Sequence, residues 1–144
     1  MPAIFSRYRE QIDQELLRAT RGPDLSLYTM VRYQLGWVDA TGAEVNADRG
    51  KVIRPTLCLL MCEALGGTID RAVPPAAGLE LLHNFSLIHD DVMDGDETRR
   101  HRPTVWSIWG QAQAIDAGDL LHVLAMLNVI GSNGNLHYDA YNSN

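Results

Sequence analysis

Three aspartates, Asp90, Asp91 and Asp94, close an apolar run in a DDxxD pattern. On a helix at about 100° per residue, Asp90 and Asp94 lie about 40° apart around the axis and Asp91 flanks them. Carboxylates gathered this way repel one another, and a hard divalent cation relieves the conflict. Mg²⁺ takes one or two protein carboxylates and fills its shell with water and substrate phosphate. A solvated acidic helix end is the alternative. Acids near a helix C-terminus oppose its dipole, however, and these follow directly on the stripe Leu81, Phe85, Ile88 and Val92. The pattern therefore points to Asp90, Asp91 and Asp94 as metal ligands.

Cationic residues flank this cluster. Arg99, Arg100 and Arg102 follow within a dozen positions. Surface pairing with the acids would be worth little, whereas arginines and a metal ion can clamp one polyphosphate from opposite sides. A second basic site lies at Gly50-Lys51-Val52-Ile53-Arg54-Pro55. Arg54 precedes proline, so its backbone is expected to be extended, with a helix opening at Pro55 and offering free N-terminal amides to an anion. The alternative is a helix start that its charges merely solvate. Lys51 is the single lysine beside eleven arginines, which favours the anion site. His83 lies two turns before Asp90 on nearly the same face and is a plausible phosphate donor. His89, His101 and His122 are assigned no role.

The elements that must position these groups read as helices. Apolar spacing predicts helices over residues 3–18, 25–35, 55–65 and 76–94, with a turn at Pro74-Pro75. A charged connector spans 95–103, and another helical region covers 104–130, with Gly110 and Gly118 as candidate interruptions. No strand-turn-strand signal is visible. Cys58 and Cys62, one turn apart in an apolar run, read as a reduced pair on a buried helix. The 144 residues carry a net charge of -6, so counterion release gives nucleic acid no hold on the chain. The apolar stretch from Leu120 to Ile130 is too short to span a bilayer, no signal peptide is visible, and the cytoplasm is the expected compartment. Residues 131–144 hold four asparagines against three in the preceding 130; they read as a tail foreign to the rest of the chain, with little order expected.

Taken together, the motifs resemble the trans-isoprenyl diphosphate synthases, or polyprenyl synthetases. The resemblance is carried by Gly50-Lys51-x-x-Arg54-Pro55, by Leu81-Leu82-His83-x-x-Ser86-Leu87-Ile88-His89-Asp90-Asp91-x-x-Asp94, by Arg99-Arg100-x-x-Pro103-Thr104 and by Ala114-Ile115-x-Ala117-Gly118-Asp119-x-Leu121. It covers roughly residues 25–127 and is closest to bacterial geranylgeranyl-type members. It implies an all-α, isoprenoid-synthase-type helical bundle of which residues 1–130 are the N-terminal half. It further implies condensation of an allylic diphosphate with isopentenyl diphosphate, with Mg²⁺ on Asp90, Asp91 and Asp94. By the same resemblance Arg99 would hold the allylic diphosphate, and Lys51, Arg54, His83 and Arg100 the isopentenyl diphosphate. Phe85 and Ser86 would set chain length near C20, although Phe85 serves equally well as ordinary core.

The family's second aspartate-rich motif and its downstream lysine have no counterpart, and Asp116 stands where an apolar residue is usual. The chain is therefore expected to be inactive alone and to expose apolar faces that drive homodimerisation or larger self-association. A noncatalytic helical subunit of a longer synthase is the alternative. A terpene cyclase fits less well, because the Lys51–Arg54 segment and the Arg99-Arg100 pair suit a second diphosphate.

Overall fold

The computed structural model describes residues 3–131. After a 3-10 turn at Ala3–Phe5 come α1 (Arg9–Ala19), α2 (Ser26–Gln34), α3 (Ile53–Ala64) and α4 (Ile69–Asp94). A hairpin of two short strands, β1 (Thr98–Arg99) and β2 (Arg102–Pro103), leads to α5 (Val105–Trp109) and α6 (Gln111–Gly131). The all-α expectation holds, with that hairpin as its one sheet among the described residues.

The centre is the pairing of α4 with α6. Both helices bring small residues to the contact: Ala76, Ala77 and Gly78 from α4, and Ala114, Ala117, Gly118 and Ala125 from α6 are all buried. A methyl group on Gly78 would come within 2.8 Å of a Val129 side-chain carbon, so the backbones approach more closely than larger residues allow. Around this pair, Ile12, Met30, Leu59, Leu81, Ile88 and Leu121 complete a continuous core. By length and apolarity α6 could cross a membrane. Its Ala114–Asn128 face instead packs into the core, as in the inner helix of a bundle.

Several boundaries differ from expectation. Helix α4 begins at Ile69 and runs through Pro74 and Pro75 without a turn. The two prolines sit near its start and withhold N–H groups only from the carbonyls of Asp70 and Arg71, exposed residues where water can substitute. The Pro74 carbonyl also accepts a hydrogen bond from Asn128 Nδ2 at 2.7 Å. Helix α3 opens at Ile53, so Arg54 is helical rather than extended. Pro55 then occupies a first-turn position whose N–H would have lacked a partner anyway. Gly110, at φ 92°, separates α5 from α6 as expected, whereas Gly118 lies uninterrupted inside α6. Cys58 and Cys62 are free thiols, half-buried rather than enclosed. Apart from Gly131, the asparagine-rich 131–144 segment lies outside the described residues.

Candidate active site

The final turns of α4 deliver the acids. Asp90 is half-buried and Asp94 exposed, and Gly95 ends the helix at φ 68°. The 100° step from Asp90 carries Asp91 inward, where it is 2% exposed. There it accepts hydrogen bonds from Arg99 Nε at 2.9 Å and Arg99 Nη2 at 2.7 Å. That bidentate pair holds the guanidinium above its usual range, chiefly through the hydrogen bond to Asp91 and against the opposing effect of burial. The expected three-carboxylate cluster is therefore not assembled. Among the described residues no three His, Cys, Asp or Glu side chains converge as a metal cage. The carboxylates of Asp90 and Asp94, one turn apart, accept no hydrogen bond among the described residues, and as hard oxygen donors they fit an ion that needs only one or two protein carboxylates.

The cations come from two turns. In the hairpin, Arg99 faces Arg102 and Thr98 faces Pro103. The two residues between, Arg100 at φ 50° and His101 at φ 61°, are both left-handed. Two-residue hairpin turns need this geometry and ordinarily place Asn-Gly there. Sequence reading missed the strands because neither turn residue is glycine. Arg102, given no separate role beforehand, anchors the hairpin. It donates to the Tyr33 carbonyl at 3.0 Å and the Val38 carbonyl at 2.8 Å, and its guanidinium lies 4.0 Å from the centre of the Tyr33 ring.

The other turn runs from Gly50 (φ 71°) to the α3 cap Val52 (φ 45°) and presents Lys51 and Arg54, both exposed. The two turns meet at Arg100, whose Nη2 would stand 2.9 Å from a methyl group placed on Gly50. Glycine suits this position for its left-handed conformation, and it leaves room for the end of the Arg100 side chain.

His83 lies where the two sets converge. Burial, and then the positive charges of Arg54, Arg100 and Arg99, keep it below the ordinary imidazole range, with Asp90 acting in the opposite sense. A neutral imidazole that donates one N–H follows. Arg54, His83, Arg99, Arg100 and Asp90 thus form one electrostatic group. Lys51 makes no hydrogen bond or ion pair among the described residues.

Glu80, one turn before His83, was missed. It is 4% exposed, and burial raises its pKa although Arg100, Arg54 and Arg9 pull it down. Its signal was an acid inside the apolar run Leu79-Glu80-Leu81-Leu82. Asn84 Nδ2 donates to the Glu80 carbonyl at 2.9 Å and reaches its carboxylate at 3.4 Å. Phe85 packs at 4.7 Å from the His89 ring and 5.0 Å from that of His122, so these histidines join α4 to α6. Ser86 Oγ donates to the His83 carbonyl at 2.7 Å.

Comparison with known proteins bears on the family of the chain. The Polyprenyl synthetase family model matches residues 36–137. A (2E,6E)-farnesyl diphosphate synthase of Mycobacterium tuberculosis is 52% identical over 102 residues, covering 71% of this chain and 28% of that protein. A geranylgeranyl diphosphate synthase of the same species is 44% identical over 129 residues, covering 90% of this chain and 37% of its own length. The crystal structure of a polyprenyl synthetase from Streptomyces coelicolor A3(2) superposes with a TM-score of 0.84 at 43% identity, over 91% of this chain and 39% of that one. The chain thus spans about a third of the length of the curated relatives it matches. With the family model matching residues 36–137 and the helical architecture in agreement, this chain belongs to the polyprenyl synthetase family.

Proposed function

We propose that the chain carries the diphosphate-gripping part of a cytoplasmic prenyltransferase that condenses an allylic diphosphate with isopentenyl diphosphate. The observation that carries this reading is the approach of Arg100 to the lysine turn at Gly50, with Arg54, Arg100 and Arg99 all acting on His83 and Asp90 opposing them. Asp91 uses Arg99 Nε and one Nη2 hydrogen, which leaves three N–H groups of a fixed fork for the allylic diphosphate. Lys51, Arg54, His83 and Arg100 would hold isopentenyl diphosphate, so that its double bond waits beside the ionising carbon and proximity does most of the work. Asp90 and Asp94 would hold Mg²⁺, with Asp91 fixed to Arg99 behind them. When bound, that ion would neutralise charge growing on the departing diphosphate. Phe85, walled by His89 and His122, and Ser86 line the side of α4 upstream of Asp90 and would limit product length.

Gripping is one part of the reaction, and the relatives are roughly two and a half times as long. Our reading is that the chain binds diphosphate without turning over by itself. Calorimetric titration with inorganic pyrophosphate and Mg²⁺ tests it. Saturable binding, lost on Arg54→Ala, is expected, and absence of binding overturns the assignment. Allylic product from radiolabelled isopentenyl diphosphate would overturn the inactivity alone. A second reading, a helical subunit completing its bundle on a longer synthase, is favoured by one observation. The stripe Ile53, Leu57 and Met61 on α3, continued by its C-cap Leu65, is 41–79% exposed. The same stripe would drive self-association of copies. Sedimentation of the chain with and without a full-length synthase separates the two.

A further inference from the structure

Residues 9–19 lie outside the stretch matched by the family model, yet α1 reaches the lysine turn through half-buried polar bonds. Asp13, 18% exposed at its side chain, accepts from Arg9 Nε at 3.0 and 3.1 Å. On its other side it pairs with Arg49 Nη2 at 3.2 Å. Both arginines pass the restraint onward. Arg9 Nη1 donates to the Gly50 carbonyl at 2.9 Å, and Arg49 stacks 4.0 Å from the centre of the Trp37 ring. The segment so held is the left-handed Gly50–Val52 turn. Its further ties are the Gly50 N–H, which donates to Asp48 Oδ1 at 2.8 Å, and the Val52 carbonyl, which accepts from the Thr56 N–H at 3.2 Å and Thr56 Oγ1 at 2.8 Å.

A β-branched residue at φ 45° does not hold that conformation by preference and persists only where its surroundings over-determine it. Asp13 is the one acid pairing with two arginines around this turn among the described residues. Without it Arg9 and Arg49, left facing each other, would repel.

We propose that Asp13 is a positioning residue for diphosphate binding: by clamping Arg9 and Arg49 it fixes the Gly50–Val52 turn and hence aims Lys51 and Arg54. The proposal rests on the diphosphate reading above for its consequence, and on the α1 geometry alone for its mechanism. The two are separated by measuring each on the full 144-residue chain.

Hydrogen exchange without ligand reads the mechanism. Asp13→Asn should speed exchange in the peptide spanning residues 49–56 by roughly tenfold or more, while α4 and α6 stay protected. Asp13→Glu should restore part of the protection. Unchanged exchange at 49–56 overturns the proposal, and so does acceleration spread evenly over all helices, which would mean general destabilisation. Titration with inorganic pyrophosphate and Mg²⁺ reads the consequence. Asp13→Asn should weaken binding about tenfold, within the range that a displaced ligating group produces. Arg9→Gln should do the same, and the double variant should be no worse than either single one, because both break one chain of bonds. Wild-type affinity in Asp13→Asn with a loosened turn would overturn the proposal and leave the diphosphate reading standing. Failure of the unaltered chain to bind pyrophosphate would instead remove the diphosphate reading, with the exchange result still deciding the brace.

Discussion

The lysine turn and the arginine hairpin both bring cations to His83 through left-handed residues, but they are restrained from different directions. At the lysine turn a glycine supplies part of the geometry, and half-buried side chains from α1 and the preceding loop supply the rest. At the hairpin no glycine helps. Arg100 and His101 are held by what flanks them: Arg99 on buried Asp91, Arg102 on two backbone carbonyls, and the Tyr33 hydroxyl on the Pro103 carbonyl at 2.7 Å. Unfavourable turn residues thus go with stronger tertiary anchors, as expected if local strain survives only where the surroundings over-determine it. The hairpin should therefore be the costlier of the two to unpin.

The largest effect should come from Asp91→Ala. It leaves a guanidinium with no partner and a hole where a side chain 3% exposed had been. Breaking a buried pair costs about 3–5 kcal/mol; Arg99, about a third exposed, can rehydrate in part, so a loss of about 2–4 kcal/mol is expected in urea unfolding. A loss below about 1 kcal/mol, the range of surface pairs, would show that the hairpin does not lean on this bond. Arg102→Lys should come next, at about 1–3 kcal/mol. A lysine cannot reach both carbonyls as a fork and loses the stacking on Tyr33. The corresponding change at the lysine turn, Arg49→Lys, should cost about 1 kcal/mol or less, since its partner Asp13 keeps Arg9.

How much of this was legible follows the same division. The helices around 12–34 and 81–94 were readable because apolar spacing and burial agree there. Asp90, His83 and the arginines could be grouped because spacing on one helix and proximity in sequence are local facts. What was missed depends on distant partners. The inward turn of Asp91 is set by Arg99 eight residues on, a contact that helical geometry cannot reveal. The hairpin was hidden because its turn carries Arg100-His101 in place of Asn-Gly. Glu80 was hidden inside an apolar run, and only the fold puts three arginines around it. The uninterrupted helix through Pro74-Pro75 shows the converse. There the local signal was strong, but exposure of the two deprived carbonyls made it inexpensive to ignore.

A pH effect sharpens the contrast at the point where the two turns meet. Burial raises Glu80 above its ordinary value despite Arg100 and Arg54. A raised folded pKa means that the stabilising contribution of Glu80 is complete below the ordinary glutamate value of about 4.3. It is lost as pH rises through the folded value. Glu80→Gln mimics the neutral form at every pH. Its Tm should match that of the unaltered chain in acid and exceed it increasingly above that range. A difference that instead turns against Glu80→Gln as pH rises would mean that the arginines, not burial, dominate this carboxylate.

The smallest effects discriminate most finely between the turns. Each left-handed residue costs roughly 1–2 kcal/mol relative to a permissive one, and glycine removes that cost while adding up to about 1 kcal/mol of unfolded-chain entropy. His101 is exposed and makes no hydrogen bond among the described residues, so His101→Gly should stabilise the chain by about 0.5 kcal/mol. Val52 is 4% exposed. The same substitution there also gives up a buried side chain worth about 1.5 kcal/mol or more, and Val52→Gly should destabilise by about 1 kcal/mol. Opposite signs from one chemical change, read by urea unfolding on both variants, would show that the hairpin tip carries uncompensated strain and the lysine turn does not. Equal signs would mean that burial at Val52 contributes less than its exposure indicates, or that Arg100 alone carries the strain at the tip.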